Sequence, residues 1–94
     1  MVITGEGKID SQSFNGKVIS GVVKRTSNAG VPTIAVVGGI ENGAEEFLKK
    51  GLNGIFSINR LPVPLSESAA FSENNLYLTV LNIMNLIKAL ENKR

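Results

Sequence analysis

Short apolar runs alternate with helix-spaced apolar positions along the 94-residue chain. Residues 1–4 form an apolar run that stops at Gly5, the pattern of a buried parallel strand or of the tail of a longer one. Ser13 is suited to cap a helix, and Phe14, Val18, Ile19, Val22, Val23 and Ala29 follow close to one helical face. Gly16 and Gly21 sit inside that pattern at a cost of roughly 1 kcal/mol each relative to Ala. Gly30 predicts the helix stop, and Pro32 blocks continuation. Residues 33–37 (Thr-Ile-Ala-Val-Val) are β-branched and apolar on both sides, which predicts a central parallel strand ending at Gly38-Gly39.

Beyond it, Asn42 predicts the cap of a short helix with Ala44, Phe47 and Leu48 inward. Glu45 with Lys49, and Glu46 with Lys50, form i, i+4 pairs on its wet face, and Gly51 ends it. Residues 54–58 read as a third strand. Residues 59–64 read as a loop, because Pro62 and Pro64 forbid ladder or helix continuity. Ser66 can cap a single turn through Ala69 and Ala70. The last helix is predicted from Glu73 or Asn74 to about Asn92, with Leu76, Val80, Ile83, Met84, Ile87 and Leu90 as its core face. Tyr77, Leu78, Leu81 and Leu86 widen the apolar arc, as in a helix packed on two sides.

The order strand, helix, strand, helix, strand, helix spells consecutive βαβ units. It predicts an α/β domain over residues 1–94, a Rossmann-like three-layer βαβαβα arrangement with helices flanking a parallel sheet. There is no internal repeat and no low-complexity segment.

Composition narrows the chemistry. The chain has no Cys and no His, which removes disulfides, thiol nucleophiles, zinc fingers and any Ser-His-Asp arrangement within it. Acids, bases and metal ligands are left to Asp, Glu, Lys, Tyr and hydroxyls, an inventory suited to a hard cation such as Mg²⁺. The net charge is +2, with basic residues scattered and a single Tyr, so no basic aromatic stripe points to nucleic acid. No apolar run reaches the ~18–20 residues of a membrane span. The start, Met1-Val2-Ile3, is too short for a signal peptide, and the expected location is cytoplasmic.

Ligands of open parallel sheets bind beyond the carboxyl ends of the strands. Three such ends are predicted here: Thr4-Gly5-Glu6-Gly7, Gly38-Gly39-Ile40-Glu41-Asn42-Gly43 and Ser57-Ile58-Asn59-Arg60. Glycines there let backbone N–H groups approach an anion, and a following helix N-terminus favours negative charge. Generic phosphate motifs fail narrowly. Asp10 stands where a dinucleotide fingerprint needs its third glycine, and Gly16-Lys17 is followed by Val18 rather than Ser or Thr.

Residues 4–17 as a whole, Thr-Gly-Glu-Gly-Lys-Ile-Asp-Ser-Gln-Ser-Phe-Asn-Gly-Lys, resemble the signature T-G-E-G-[RK]-[IL]-D-x-Q-[TS]-x-x-G-K of the bacterial type I glycerate kinases, near their C-terminal end. The sequence that follows is also similar, and the resemblance covers essentially the whole chain. Lys8 stands where Arg is common, and Ser13 where Thr is common. Lys is a point charge and does not grip an anion bidentately as Arg does.

The resemblance implies transfer of the ATP γ-phosphoryl group to a hydroxyl of D-glycerate, with Mg²⁺, in a cleft between two α/β lobes. It also implies that the chain corresponds to part of a longer enzyme and is catalytically incomplete alone. Phosphoryl transfer needs charge neutralisation, a metal bridge and an oriented hydroxyl. On this reading Asp10 is a metal ligand or hydroxyl-orienting base, Glu6 a metal or substrate ligand, and Lys8 and Lys17 contacts to carboxylate or phosphate. Thr4 and Gln12 offer neutral hydrogen bonds, and Gly5, Gly7 and Gly16 offer close approach. Structural alternatives stand beside each role: an Asx-turn residue for Asp10, a solvated acid for Glu6, a surface lysine for Lys17, a turn residue for Gln12. Gly38, Gly39 and Asn42 are either a second anion-binding edge or a plain βα turn, and Arg60 is an ordinary loop cation. A competing, non-enzymatic reading is a module that binds itself or a partner through the broad apolar face of the last helix.

Overall fold

The computed structural model describes residues 1–9 and 18–92. Three parallel strands, β1 (Val2–Ile9), β2 (Thr33–Ile40) and β3 (Gly54–Ser57), lie in the order β1-β2-β3. Helix α1 (Val18–Ala29) crosses from β1 to β2, and α2 (Glu46–Lys49) from β2 to β3. After β3 come α3 (Leu65–Ser68), a 3₁₀ turn (Ala69–Phe71) and the long α4 (Ser72–Glu91). Successive neighbouring strands joined by crossovers of one hand put both crossover helices on the same face. The core agrees: Ile19 and Val23 of α1, Ala44 just before α2 and Phe47 within it pack with Ala35 and Val37 of β2. On the opposite face Ile34 and Val36 meet Ile83 of α4, with Ile58 and Ile87 at the margin. The predicted three-layer α/β arrangement is therefore present, and β2, buried on both faces, is its centre.

The amino edge of the sheet is tied by polar bonds. Thr33 is fully buried; its N–H donates to Asn53 Oδ1 at 2.8 Å, and the Asn53 N–H donates to the Thr33 carbonyl at 2.7 Å. The Val2 N–H donates to the Pro32 carbonyl at 2.9 Å. Helix α1 stops as expected: Gly30 has φ +70°, and the N–H groups of Gly30 and Val31 bond back to Ser27 and Thr26. The segment after α2 ends alike, with Gly51 at φ +116° and the Leu52 N–H on the Phe47 carbonyl. A Cβ on Gly51 would lie 2.6 Å from Ser27 Oγ, so the two helix ends nest.

Several expectations are corrected. β1 does not stop at Gly5 but runs through Gly5 and Gly7 to Ile9, and β2 continues through Gly38-Gly39 to Ile40. The two glycine-bearing stretches pair with each other (Glu6 with Val37, Lys8 with Gly39), and that backbone ladder overrides the weak strand preference of Gly. Asn42 caps no helix: residues 42–45 form a turn around Gly43 at φ +89°, and α2 starts after Glu45 without a side-chain cap. Lys49 Nζ meets Glu46 Oε1 at 3.5 Å, an exposed i, i+3 contact. In α1 the inward face is narrower than predicted, because Val18 is exposed. In α4 only Ile83 is buried, with Val80 and Ile87 half-buried; Leu76, Met84 and Leu90 of the expected core face are exposed. A three-stranded sheet is too narrow to cover more of a helix this apolar. The predicted Ser13 cap lies outside the described residues.

Candidate active site

The carboxyl edge is built by strand length. β3 ends at Ser57 opposite Val37, with the Ile58 N–H still reaching the Val37 carbonyl at 2.9 Å. β1 and β2 run on together for three further residues of β2, Gly38, Gly39 and Ile40. The result is a two-stranded ribbon that projects past the third strand. Three of its positions are glycine: Gly7 in β1, and Gly38 and Gly39 in β2; Gly5 lies in the three-stranded part, in register with Val36. Above Gly7 there is open space on the side where a Cβ would stand.

Register sorts the predicted residues by face. Thr4 pairs with Ala35 and Glu6 with Val37, so both point to the face that carries α1 and α2. Thr4 is buried, and Glu6 two residues on is exposed. Gly5 and Gly7 therefore belong to the opposite face, on the side of α4. Lys8 holds a ribbon position in register with Gly39. Asp10, Gln12, Gly16 and Lys17 lie outside the described residues, between the end of β1 and the start of α1. Because α1 runs antiparallel to the sheet, its N-terminus returns to this same edge. Topology thus places Thr4, Gly5, Glu6, Gly7 and Lys8 on the strand itself rather than on a turn after it.

At the end of β3 the Ser57 hydroxyl does structural work that its sequence position did not announce. Its Oγ donates to the Gly38 carbonyl at 3.3 Å and accepts from the Asn59 N–H at 3.0 Å. This ties the start of the β3–α3 loop to the glycine ribbon. Asn59 Nδ2 in turn donates to the Val63 carbonyl at 2.8 Å, closing the loop that carries Pro62. Asn59 Oδ1 is sealed from solvent without a partner among the described residues. Next to the loop is a cavity of about 490 Å³, with Arg60, Phe71, Asn74 and Leu78 in its walls. Arg60 is exposed there. Gly38 and Gly39 take part in the ladder and are not the helix-capping turn that was expected; Asn42 lies beyond them in the turn that precedes α2.

The donor chemistry suits a hard cation. Mg²⁺ takes one or two protein carboxylates together with phosphate oxygens and water. Glu6 is an exposed carboxylate on β1, and no group of three His, Cys, Asp or Glu that could hold a metal ion is present among the described residues. No helix of the described residues is long and apolar enough to cross a membrane.

Comparison with known proteins agrees with the signature. A glycerate kinase of Bacillus cereus is 34% identical over 93 residues, covering 99% of this chain and 24% of its own length. A glycerate kinase of Bacillus subtilis is 35% identical over 88 residues, covering 94% of this chain and 23% of its own. A glycerate 2-kinase of Escherichia coli is 32% identical over 83 residues, covering 88% and 22%. The chain therefore spans about a quarter of the length of the curated relatives it matches. No solved structure gives a significant match. The sequence model of the Glycerate kinase family matches residues 1–88, and the chain belongs to that family.

Proposed function

We propose that this chain supplies one wall of the active site of a glycerate kinase, corresponding to its C-terminal part, which phosphorylates D-glycerate at the expense of ATP. The observation that carries the reading is the family match together with the position of residues 4–9, on a glycine ribbon at the carboxyl edge of a parallel sheet. That edge is where phosphate oxygens find backbone N–H groups and a helix N-terminus.

In the proposed reaction the glycerate hydroxyl oxygen attacks the γ-phosphorus of ATP. The bond from that phosphorus to the bridging oxygen breaks, ADP leaves, and the hydroxyl proton passes to the Asp10 carboxylate. Lys8 and Lys17 neutralise phosphate or glycerate carboxylate charge, and Gln12 orients a neutral hydrogen-bonding group, whereas Thr4, buried on the face that carries α1 and α2, supports the strand from below. Gly5, Gly7 and Gly16 keep the backbone free for close approach. Glu6, or Asp10 in the alternative to its role as base, is the carboxylate that would hold Mg²⁺, which when bound neutralises charge on the transferring phosphoryl group.

The test is a chimera in which residues 1–88 replace the matching quarter of the Bacillus subtilis relative. It should phosphorylate glycerate in an ATP-dependent assay, and Asp10→Ala should lower kcat at least ~100-fold, the usual scale for a positioned acid–base group. A folded chimera with no activity would sink the reading, and full activity of the Asp10→Ala chimera would remove Asp10 from the chemistry.

A further inference from the structure

Asparagine is a chemically labile residue, most of all before glycine, which has no Cβ to shield its amide nitrogen. The chain carries this pair at Asn15-Gly16, Asn42-Gly43 and Asn53-Gly54. The first lies outside the described residues. The other two share one chemistry and differ in what the fold does to them.

Asn53 is clamped at two points. Its Oδ1 accepts from the N–H of buried Thr33 at 2.8 Å, and its own N–H donates to the Thr33 carbonyl at 2.7 Å. Gly54 is the first residue of β3, in register with Ile34 of the central strand. Before the Gly54 nitrogen can reach Asn53 Cγ, the side chain must leave Thr33 and the strand end must twist out of its ladder.

Asn42 carries no such clamp. It is exposed, in the turn between β2 and α2. Neither its side chain nor the Gly43 N–H makes a hydrogen bond among the described residues. The turn is held by its neighbours: the Ala44 N–H donates to the Glu41 carbonyl and the Glu46 N–H to the Gly43 carbonyl, both at 3.2 Å. Gly43 sits at φ +89°, a region that glycine enters and leaves freely. Turning its nitrogen toward the Asn42 side chain costs at most these two long bonds.

We propose that Asn42-Gly43 is a site of spontaneous deamidation in the folded chain, and that the fold protects Asn53-Gly54 from the same reaction. The Gly43 amide nitrogen loses its proton to hydroxide and bonds to Asn42 Cγ. The bond from Cγ to the side-chain nitrogen breaks, and that nitrogen takes up a proton and leaves as ammonia. The five-membered succinimide so formed adds one water. Opening at the side-chain carbonyl gives aspartate; opening at the main-chain carbonyl gives isoaspartate, whose backbone is longer by one carbon. Either product sets a new carboxylate beside Glu41, just past the end of β2. The inference does not depend on the kinase reading.

The full chain is incubated at mildly alkaline pH, in native buffer and in guanidinium chloride, and digested with trypsin at intervals. The peptide that begins at Thr26 holds Asn42, and residues 51–60 hold Asn53. Fragment masses locate the exchange of amide nitrogen for oxygen. An isoaspartate-specific carboxyl methyltransferase with a labelled methyl donor reports the isoaspartyl product. In denaturant the two sites should react within about threefold of each other, because the fold no longer separates them. In native buffer Asn42 should keep at least about a third of its denatured rate, and Asn53 should fall at least about tenfold behind it. Gly43→Ala should slow conversion at position 42 in both conditions and leave Asn53 as it was.

Equal rates at the two sites in native buffer overturn the proposal. So does an Asn42 slowed by the fold as much as Asn53, or one indifferent to Gly43→Ala in denaturant.

Discussion

Gly51 sits at φ +116° with Ser27 Oγ where its Cβ would be. Gly51→Ala meets both backbone strain and a side chain that must move, so a loss of about 2 kcal/mol or more is expected in urea titration. Ser27→Gly in the same chain should recover the steric part and leave the strain. Asn53 presents a second residue-scale test. Asn53→Ala leaves the buried Thr33 N–H without its acceptor, at an expected ~1–3 kcal/mol, whereas Asn53→Asp keeps an acceptor and should cost less. The two cases differ in how they could be read in advance. Gly30 and Gly51 were legible as helix stops, because a positive φ after an apolar helical face asks for glycine. The bond from Thr33 to Asn53 spans twenty residues and belongs to no local pattern, so nothing in the sequence announced it. Ser57, which joins the ribbon to the β3–α3 loop, was hidden for the same reason.

At the scale of elements, the apolar spacing of α4 gave Ile83 and Met84 equal standing as core residues. The structure separates them, and so should mutation of the isolated chain. Ile83→Ala is expected to cost ~2–4 kcal/mol and Met84→Ala less than about 0.5 kcal/mol, read as a shift in urea midpoint. Phe47→Ala, which empties the largest buried side chain on the other face, should cost ~3–5 kcal/mol. The type and order of all three strands and the main helices were legible from periodicity, because two-sided apolar runs and helical spacing are local signals. Strand ends were not. Glycine runs read as turns, yet these glycines are held extended by the ladder between β1 and β2, in which Gly5 is in register with Val36 and Gly39 with Lys8, a non-local effect. The signature residues thus sit half on a strand, where side chains alternate between faces, and this places Thr4 and Glu6 on one side of the sheet and the glycines on the other.

For the whole molecule, the family of the chain was legible in fourteen consecutive residues, while the exposure of most of the apolar side chains of α4 was not. Apolar spacing reports that a helix face wants cover and says nothing about what provides it. The two edges of the sheet also differ in a way that matters for motion. At the amino edge, α1 and the segment after α2 each close with backbone N–H groups bonded back to their own last turn, Gly51 nests on Ser27, and Thr33 clasps Asn53. At the carboxyl edge, the sheet thins from three strands to two glycine-bearing ones. The sheet is consequently stiff at one end and compliant at the other, like a plate clamped along a single side. Amide hydrogen exchange should be slowest at residues 33–37 and rise sharply at residues 38–40. Equal protection along β2 would refute that gradient. If it holds, the end that carries the signature can bend toward a ligand while the packing around Phe47 and Ile19 stays intact.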